Sequence, residues 1–379
     1  MVYLVDAVRT PHGALLGGLS EVGAVELGAA ALDGLRARTD LDPAGIDWVG
    51  LGEAIQAGVG QVPARQAVLE AGFDAGTEAT TVNEASGSGL RAIALAVDRI
   101  ESGRASVAVA GGMESMSNAP HVSREHRRGK RLGDSRLVDT LVYDALWDVT
   151  RDAHMGELTE ALAERFDVSR EAQDAYAAES NRRAAAAIDG GRFDAELVAV
   201  EGVTEDEGPR PDSTVESLGE LPPAFAEDGT ITAGNASSLS DGAGCALLVG
   251  DGVEGFDDPL AEVVDYALAY RDPEWFGIAV GNAVEALLDR NGLAVDDVDS
   301  YELNEAFAAQ MVHVRERLGI PPEIQNPDGG AVALGHPIGA SGGILTTTLA
   351  HRMDREDHTR GVVGMSIGGG GGIAMLLER

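Results

Sequence analysis

The chain has 379 residues, 44% of them hydrophobic and 4% aromatic, which suits two or three domains sharing a large core. That apolar content excludes a disordered chain, the glycines lack the three-residue period of collagen, and no apolar run reaches the ~18 residues of a membrane-spanning helix. A net charge of −35, from 63 acidic and 28 basic residues spread along the chain, excludes nucleic acid and anionic membrane as partners and suits concentrated salt.

The opening MVYLVDAVRTPHG carries no basic segment ahead of an apolar one, so no export signal is expected and a cytoplasmic location follows. Helical spacing covers 25–38, and a short strand follows over 46–54. A Gly-rich turn at Ser86 then opens a buried helix that runs to 100, ahead of an apolar strand-like run over 105–115. Next comes an inserted stretch, 119–231, with amphipathic helical patterns at 156–166 and 170–191 and a polar segment at 201–217. A further strand pattern over 242–249 holds Cys245, the single cysteine, which excludes an internal disulfide and a cysteine-based zinc cluster.

The same order then recurs: helix over 278–290, strand over 298–306, Gly-rich turn and helix over 339–353, and strands over 361–371 and 371–378. Asp47 matches Asp299 at an offset of 252, and Gly89 matches Gly342 at 253. Five matches in one order at nearly constant offset mark an internal duplication. Alternating helices and strands point to an α/β fold, a sheet covered by helices. The expected domains are 1–118 with 232–255, the inserted 119–231, and 256–379. Symmetry places Ser86 and the segment Gly335–Gly342 at one edge, facing one pocket.

Ser86, at the start of a helix, reads either as an N-cap or as a group facing the positive end of the helix dipole. GSGLRA at 87–92 fits the dinucleotide fingerprint only loosely, with no acidic residue closing a second strand about 20 residues on. His336, between Gly335 and Pro337, is suited to general-base work. Gly339–Gly343 matches the G-x-S-x-G elbow of serine hydrolases, so Ser341 is a rival nucleophile, or a residue of a helix-capping turn. Asn304, at a strand end, can hold a water or an oxyanion. His154, Ser237 and Ser366 are further candidates. His12, His121, His126, His313, His351 and His358 read as surface residues. The run Arg124–Arg131, including Arg127, Arg128 and Lys130, is a dense positive patch suited to phosphates.

Assembled, these segments resemble the thiolases of the acetyl-CoA acetyltransferase group along essentially the whole chain. The resemblance rests on VDAVRTPHG (5–13), QAGVGQVPARQA (56–67), VNEASGSGL (82–90), GGMESMSNAP (111–120), HMG (154–156), ITAGNASSLSDGA (231–243), NEAFAAQ (304–310) and GGAVALGHPIGASGG (329–343). It implies a thiolase fold of duplicated βαβαβαββ halves in a five-layer αβαβα core with an inserted loop domain. It implies reversible Claisen condensation of acyl-CoA through a covalent acyl-enzyme, no tightly bound cofactor, no metal site, and coenzyme A thioesters as substrates. Homodimer or homotetramer assembly follows from the same likeness.

At the position of the family's nucleophilic cysteine stands Ser86, and at that of its second cysteine stands Ser366. His336 and Asn304 match the family's histidine and asparagine. His154, Met155, Ser237, Ala236, Phe307 and Gly368 match positions at the acyl and pantetheine site, and Arg127 and Arg128 fall in the loop region over the CoA nucleotide. A hydroxyl is far less acidic than a thiol, so Ser86 needs direct proton removal by His336, and Ser366 is a poor proton shuttle. Serines here with an acidic composition resemble haloarchaeal ketothiolases, and archaeal relatives add the possibility of a small OB-fold, zinc-ribbon partner subunit. A non-catalytic acyl-CoA-binding relative and a serine hydrolase using Ser341 remain as alternatives; in the thiolase reading, Ser341→Ala is expected to matter little.

Overall fold

The computed structural model describes residues 1–39, 42–256 and 258–379. The first half runs β1 (Val2–Arg9), α1 (Ala24–Thr39), β2 (Trp48–Gly52), α2 (Pro63–Glu70), β3 (Glu78–Val82), α3 (Ser88–Glu101), β4 (Val107–Ser115) and, after the insertion, β5 (Ser240–Gly250). The insertion contains α4 (Met155–Arg165) and α5 (Arg170–Asp189). The second half runs β6 (Ala261–Tyr270), α6 (Phe276–Asn291), β7 (Ser300–Leu303), α7 (Ala308–Leu318), α8 (Ser341–Glu356), β8 (Arg360–Ile367) and β9 (Gly371–Glu378).

Among the described residues the long strands form one continuous sheet in the order β7-β8-β9-β6-β1-β5-β4-β2-β3. The two halves meet where β1 pairs antiparallel with β6, Tyr3 against Glu262 and Leu4 against Ala261. Outward from that seam the strands repeat in the same order, so the duplication is a property of the fold. The first half is βαβαβαββ. In the second, the counterpart of β3 shrinks to a single parallel bridge between Tyr301 and Gln325.

Three apolar clusters separate the layers. Leu90, Ile93, Val97 and Ile100 of α3 recur at helical spacing and pack with Leu349 and Met353 of α8 between the two halves of the sheet. The outer face of the first half is covered by α1 and α2, through Leu27, Leu32, Leu35 and Val68. That of the second is covered by α6 and α7, through Val284, Leu287, Met311 and Val314. The result is the αβαβα layering of a thiolase fold.

The central helices approach so closely that side chains are excluded. A Cβ on Gly342 would lie 2.1 Å from the Leu90 backbone nitrogen, and one on Gly89 would lie 2.8 Å from that of Gly343. This contact brings the N-termini of α3 and α8 together. The insertion is tied to the core by a buried ionic cluster: Arg9 pairs with Glu196 and, at 2.7 and 2.9 Å, with Asp206, which also holds His12 Nδ1 at 2.9 Å. The partners hold the Asp206 carboxyl well below the usual carboxylate range against the opposing effect of its burial. His12 therefore belongs to the interior, as does His351 on the inner side of α8, whose Nε2 lies 2.8 Å from the Ala7 carbonyl; neither is the surface residue expected.

Candidate active site

The turn before α3 holds Ser86 in a constrained position. Ala85 adopts φ +48°, a left-handed conformation that a non-glycine residue enters only at a cost of order 1–2 kcal/mol. Ser88 braces it: its hydroxyl donates to the Ala85 carbonyl at 2.6 Å and accepts from the Glu84 N–H at 2.9 Å. The N-cap is Gly87, so Ser86 is released from capping. Its Oγ lies 3.0 Å from His336 Nε2.

The ring of His336 is held from its other side. Ser341 Oγ lies 2.6 Å from His336 Nδ1 and 3.0 Å from the Pro337 carbonyl. A carbonyl only accepts, so the Ser341 hydroxyl donates to Pro337 and its oxygen receives the Nδ1–H. Nε2 then carries the lone pair, and it accepts from the Ser86 hydroxyl and from Asn304 Nδ2 at 3.2 Å. Burial pushes the His336 pKa down to about 3, so the ring is a neutral base. Ser341 is 3% exposed and fully engaged, which removes it as a rival nucleophile and makes it a support of the base.

The surrounding backbone is fixed by buried carboxylates. Glu305 receives the Tyr176 and Ser180 hydroxyls, the Asn326 amide and the Val332 N–H at 2.7 to 3.0 Å, anchoring the strand end that presents Asn304. Glu114 receives the N–H groups of Ala54, Ile55 and Gly339, tying the His336 segment to the end of β2. Burial raises the Glu114 pKa to about 7, and burial beside Glu114 raises that of Glu53 to about 8.

Ser86 and His336 open into a cavity of about 630 Å³ walled mainly by apolar groups. His154, Met155, Ala236, Ser237, Phe307, Ser366 and Gly368 all line it. His154 caps α4: its Nδ1 accepts from the Gly156 N–H at 3.0 Å, so a neutral ring carries its proton on Nε2. Phe225 stacks on that ring at 4.8 Å. Ser366 donates to the Gly277 carbonyl at 3.2 Å. Asn304 stands behind His336 rather than on the main wall. Arg127 and Arg128 are exposed and do not line the cavity, and Arg124 stacks over Tyr143. The arginine at the cavity wall is Arg210, which lies in the polar segment 201–217 but was not singled out.

A serine and a neutral imidazole at the wall of an apolar cavity, with an amide behind the imidazole, suit acyl transfer. Residues 2–251 match the thiolase N-terminal domain and residues 257–379 the thiolase C-terminal domain. The chain belongs to the thiolase family. Among its relatives, the acetyl-CoA acetyltransferase of Pseudomonas aeruginosa is 45% identical, covering all of this chain and 99% of its own. A probable acetyl-CoA acyltransferase of Staphylococcus aureus is 43% identical over the same extents. The crystal structure of the Bacillus anthracis acetyl-CoA acetyltransferase superposes with a TM-score of 0.96 at 37% identity, covering 100% of this thiolase and 98% of that chain. Among the described residues no cluster of metal-ligating side chains occurs, and no helix is long and apolar enough to cross a membrane.

Proposed function

We propose that this thiolase is a β-ketothiolase, an acyltransferase that makes and cleaves 3-ketoacyl-CoA through an acyl-Ser86 intermediate. The observation that carries the serine mechanism is the 3.0 Å contact of Ser86 Oγ with His336 Nε2 at the wall of the acyl cavity.

In the first half-reaction Ser86 Oγ attacks the thioester carbonyl while His336 Nε2 takes its proton. The C–S bond breaks, the proton passes from His336 to the CoA sulfur, and the acyl group remains on Ser86 as an oxygen ester. In the second, an acetyl-CoA gives up an α-proton to the site. Its carbanion attacks the acyl carbonyl, the C–O bond to Ser86 breaks, and the serine oxygen is reprotonated. Asn304, carried beside the base, stabilises oxyanion charge through its amide, and the His154 Nε2–H is placed to donate to the thioester side. Thiolysis runs these steps in reverse.

An oxygen ester is less activated than a thioester, so returning the acyl group to CoA is the demanding step. Ser366, a weak acid and a weak base, contributes positioning more than proton transfer, and His336 takes the α-proton in this reading. The charge of −35 supports a reading in which the enzyme works in a salt-rich cytoplasm, and the serine pair with that charge supports a haloarchaeal-type relationship. Assembly as a homodimer or homotetramer, with a small OB-fold partner subunit, belongs to the same reading and rests on the family resemblance. CoA-dependent loss of acetoacetyl-CoA absorbance in concentrated KCl tests the activity, with none expected in Ser86→Ala.

A further inference from the structure

Behind His336 lies a second cavity of about 20 Å³, whose polar walls come from His12, Glu302, Asn304, Ser341 and Thr348. A cavity of roughly 10–15 Å³ or more holds one water if it offers two to four polar partners. Two of these side chains have unanswered groups. Glu302 Oε1 and Asn304 Oδ1 are buried without a hydrogen-bond partner, on residues 1% and 3% exposed. Such a group keeps its full desolvation cost unless something answers it.

The sequence explains their placement. Residues two apart at a strand end share a face, so Glu302 and Asn304 point the same way from the end of β7. The other wall hydroxyls are committed: Thr348 donates to Glu196 at 2.9 Å and Ser341 donates to Pro337. Burial in the company of Asp328, Glu305 and Glu196, opposed by Arg352, pushes the Glu302 carboxyl pKa up. A single water donates one hydrogen to Asn304 Oδ1 and meets Glu302 Oε1 with its other hydrogen or with its oxygen, so it satisfies both.

We propose that this cavity binds one structural water linking Glu302 to Asn304 Oδ1, which makes Glu302 a positioning residue for the Asn304 amide. The two ends of an amide differ little in shape, so only hydrogen bonding decides which one faces the reaction. With Oδ1 answered from behind, Nδ2–H stays turned toward His336 and the developing oxyanion. Without the water, the amide can turn over and present oxygen to negative charge. This inference rests on the role given to Asn304 in the ketothiolase reading.

The test combines a high-resolution crystal structure of the wild type with kinetics of Glu302→Leu and Glu302→Gln, each checked for a native melt. A water between Glu302 and Asn304 is expected in the wild type and in Glu302→Gln. Glu302→Leu is expected to lower kcat roughly tenfold at unchanged KM, the loss of one buried hydrogen bond, and Glu302→Gln to recover most of it. A wild-type cavity without water density, a Glu302→Leu variant with wild-type kcat, or a glutamine variant as impaired as the leucine overturns the proposal. The water density is read without turnover, so it decides the site even if the chain proves inactive as a thiolase. If Glu302→Leu does not fold, the wild-type density and Glu302→Gln still decide.

Discussion

Ser86 and Ser341 occupy opposite nitrogens of one imidazole: Ser86 gives its proton toward Nε2 of His336, while Ser341 receives the proton of Nδ1. The second contact sets the direction of the first. With Nδ1–H committed to Ser341, only the tautomer with a free Nε2 lone pair is satisfied, and that tautomer is the base Ser86 requires.

Ser341→Ala is therefore expected to lower kcat roughly tenfold to thirtyfold with KM little changed, the worth of one buried hydrogen bond. Ser341→Thr, which keeps the hydroxyl, is expected to recover much of the loss. Steady-state thiolysis kinetics check both. A wild-type kcat in Ser341→Ala would show that the tautomer is fixed by other means.

The buried carboxyls Glu53 and Glu114 give stability a defined pH dependence. Their folded pKa values, about 8 and about 7, lie above the ordinary value of 4.5. Between roughly pH 4.5 and 8 the folded state keeps protons that the unfolded state releases, so this contribution is present below that window and is lost as pH rises through it. The wild type is expected to lose stability relative to Glu53→Gln as pH is raised from 5 to 8. Denaturant titrations of both proteins at several pH values check this. A stability difference that does not change with pH would contradict it.

Much of this architecture was legible in the chain. The helices expected at 25–38 and 278–290 are present as Ala24–Thr39 and Phe276–Asn291, and the repeated Gly89 and Gly342 are the positions where the central helices touch. Local periodicity and a constant offset sufficed there, because both copies obey the same packing. Ser341 opens a helix, as one of its two readings had it, whereas its contact with Nδ1 depends on where the ring of His336 folds back, which a local pattern does not specify. His12 looked exposed because its buried partner, Asp206, lies 194 residues away. Arg127 and Arg128 lie outside the cavity lining, which a cluster of like charge in sequence does not specify.

Cys245 lies inside β5, fully buried, and burial pushes its thiol well above its ordinary range. Iodoacetamide is expected to leave activity intact in the native protein, as judged by turnover before and after treatment. Rapid inactivation would contradict a serine-based mechanism.

The charge of −35 is expected to make stability depend on salt. The melting midpoint should rise steadily from dilute buffer to ~2 M KCl, where the screening length falls below about 3 Å. A cooperative melt with the same midpoint in both would contradict the salt-adapted reading.

The most direct test is to find the acyl group. The wild type is incubated with acetyl-CoA in concentrated KCl, quenched in acid and digested, and its peptides are examined by mass spectrometry alongside those of Ser86→Ala. The expected result is an acetyl group on the peptide that contains Ser86, absent from the variant, whose thiolysis rate falls by about 10⁶-fold. An acetyl group on another residue, or a Ser86→Ala enzyme that still turns over at the wild-type rate, would contradict the account.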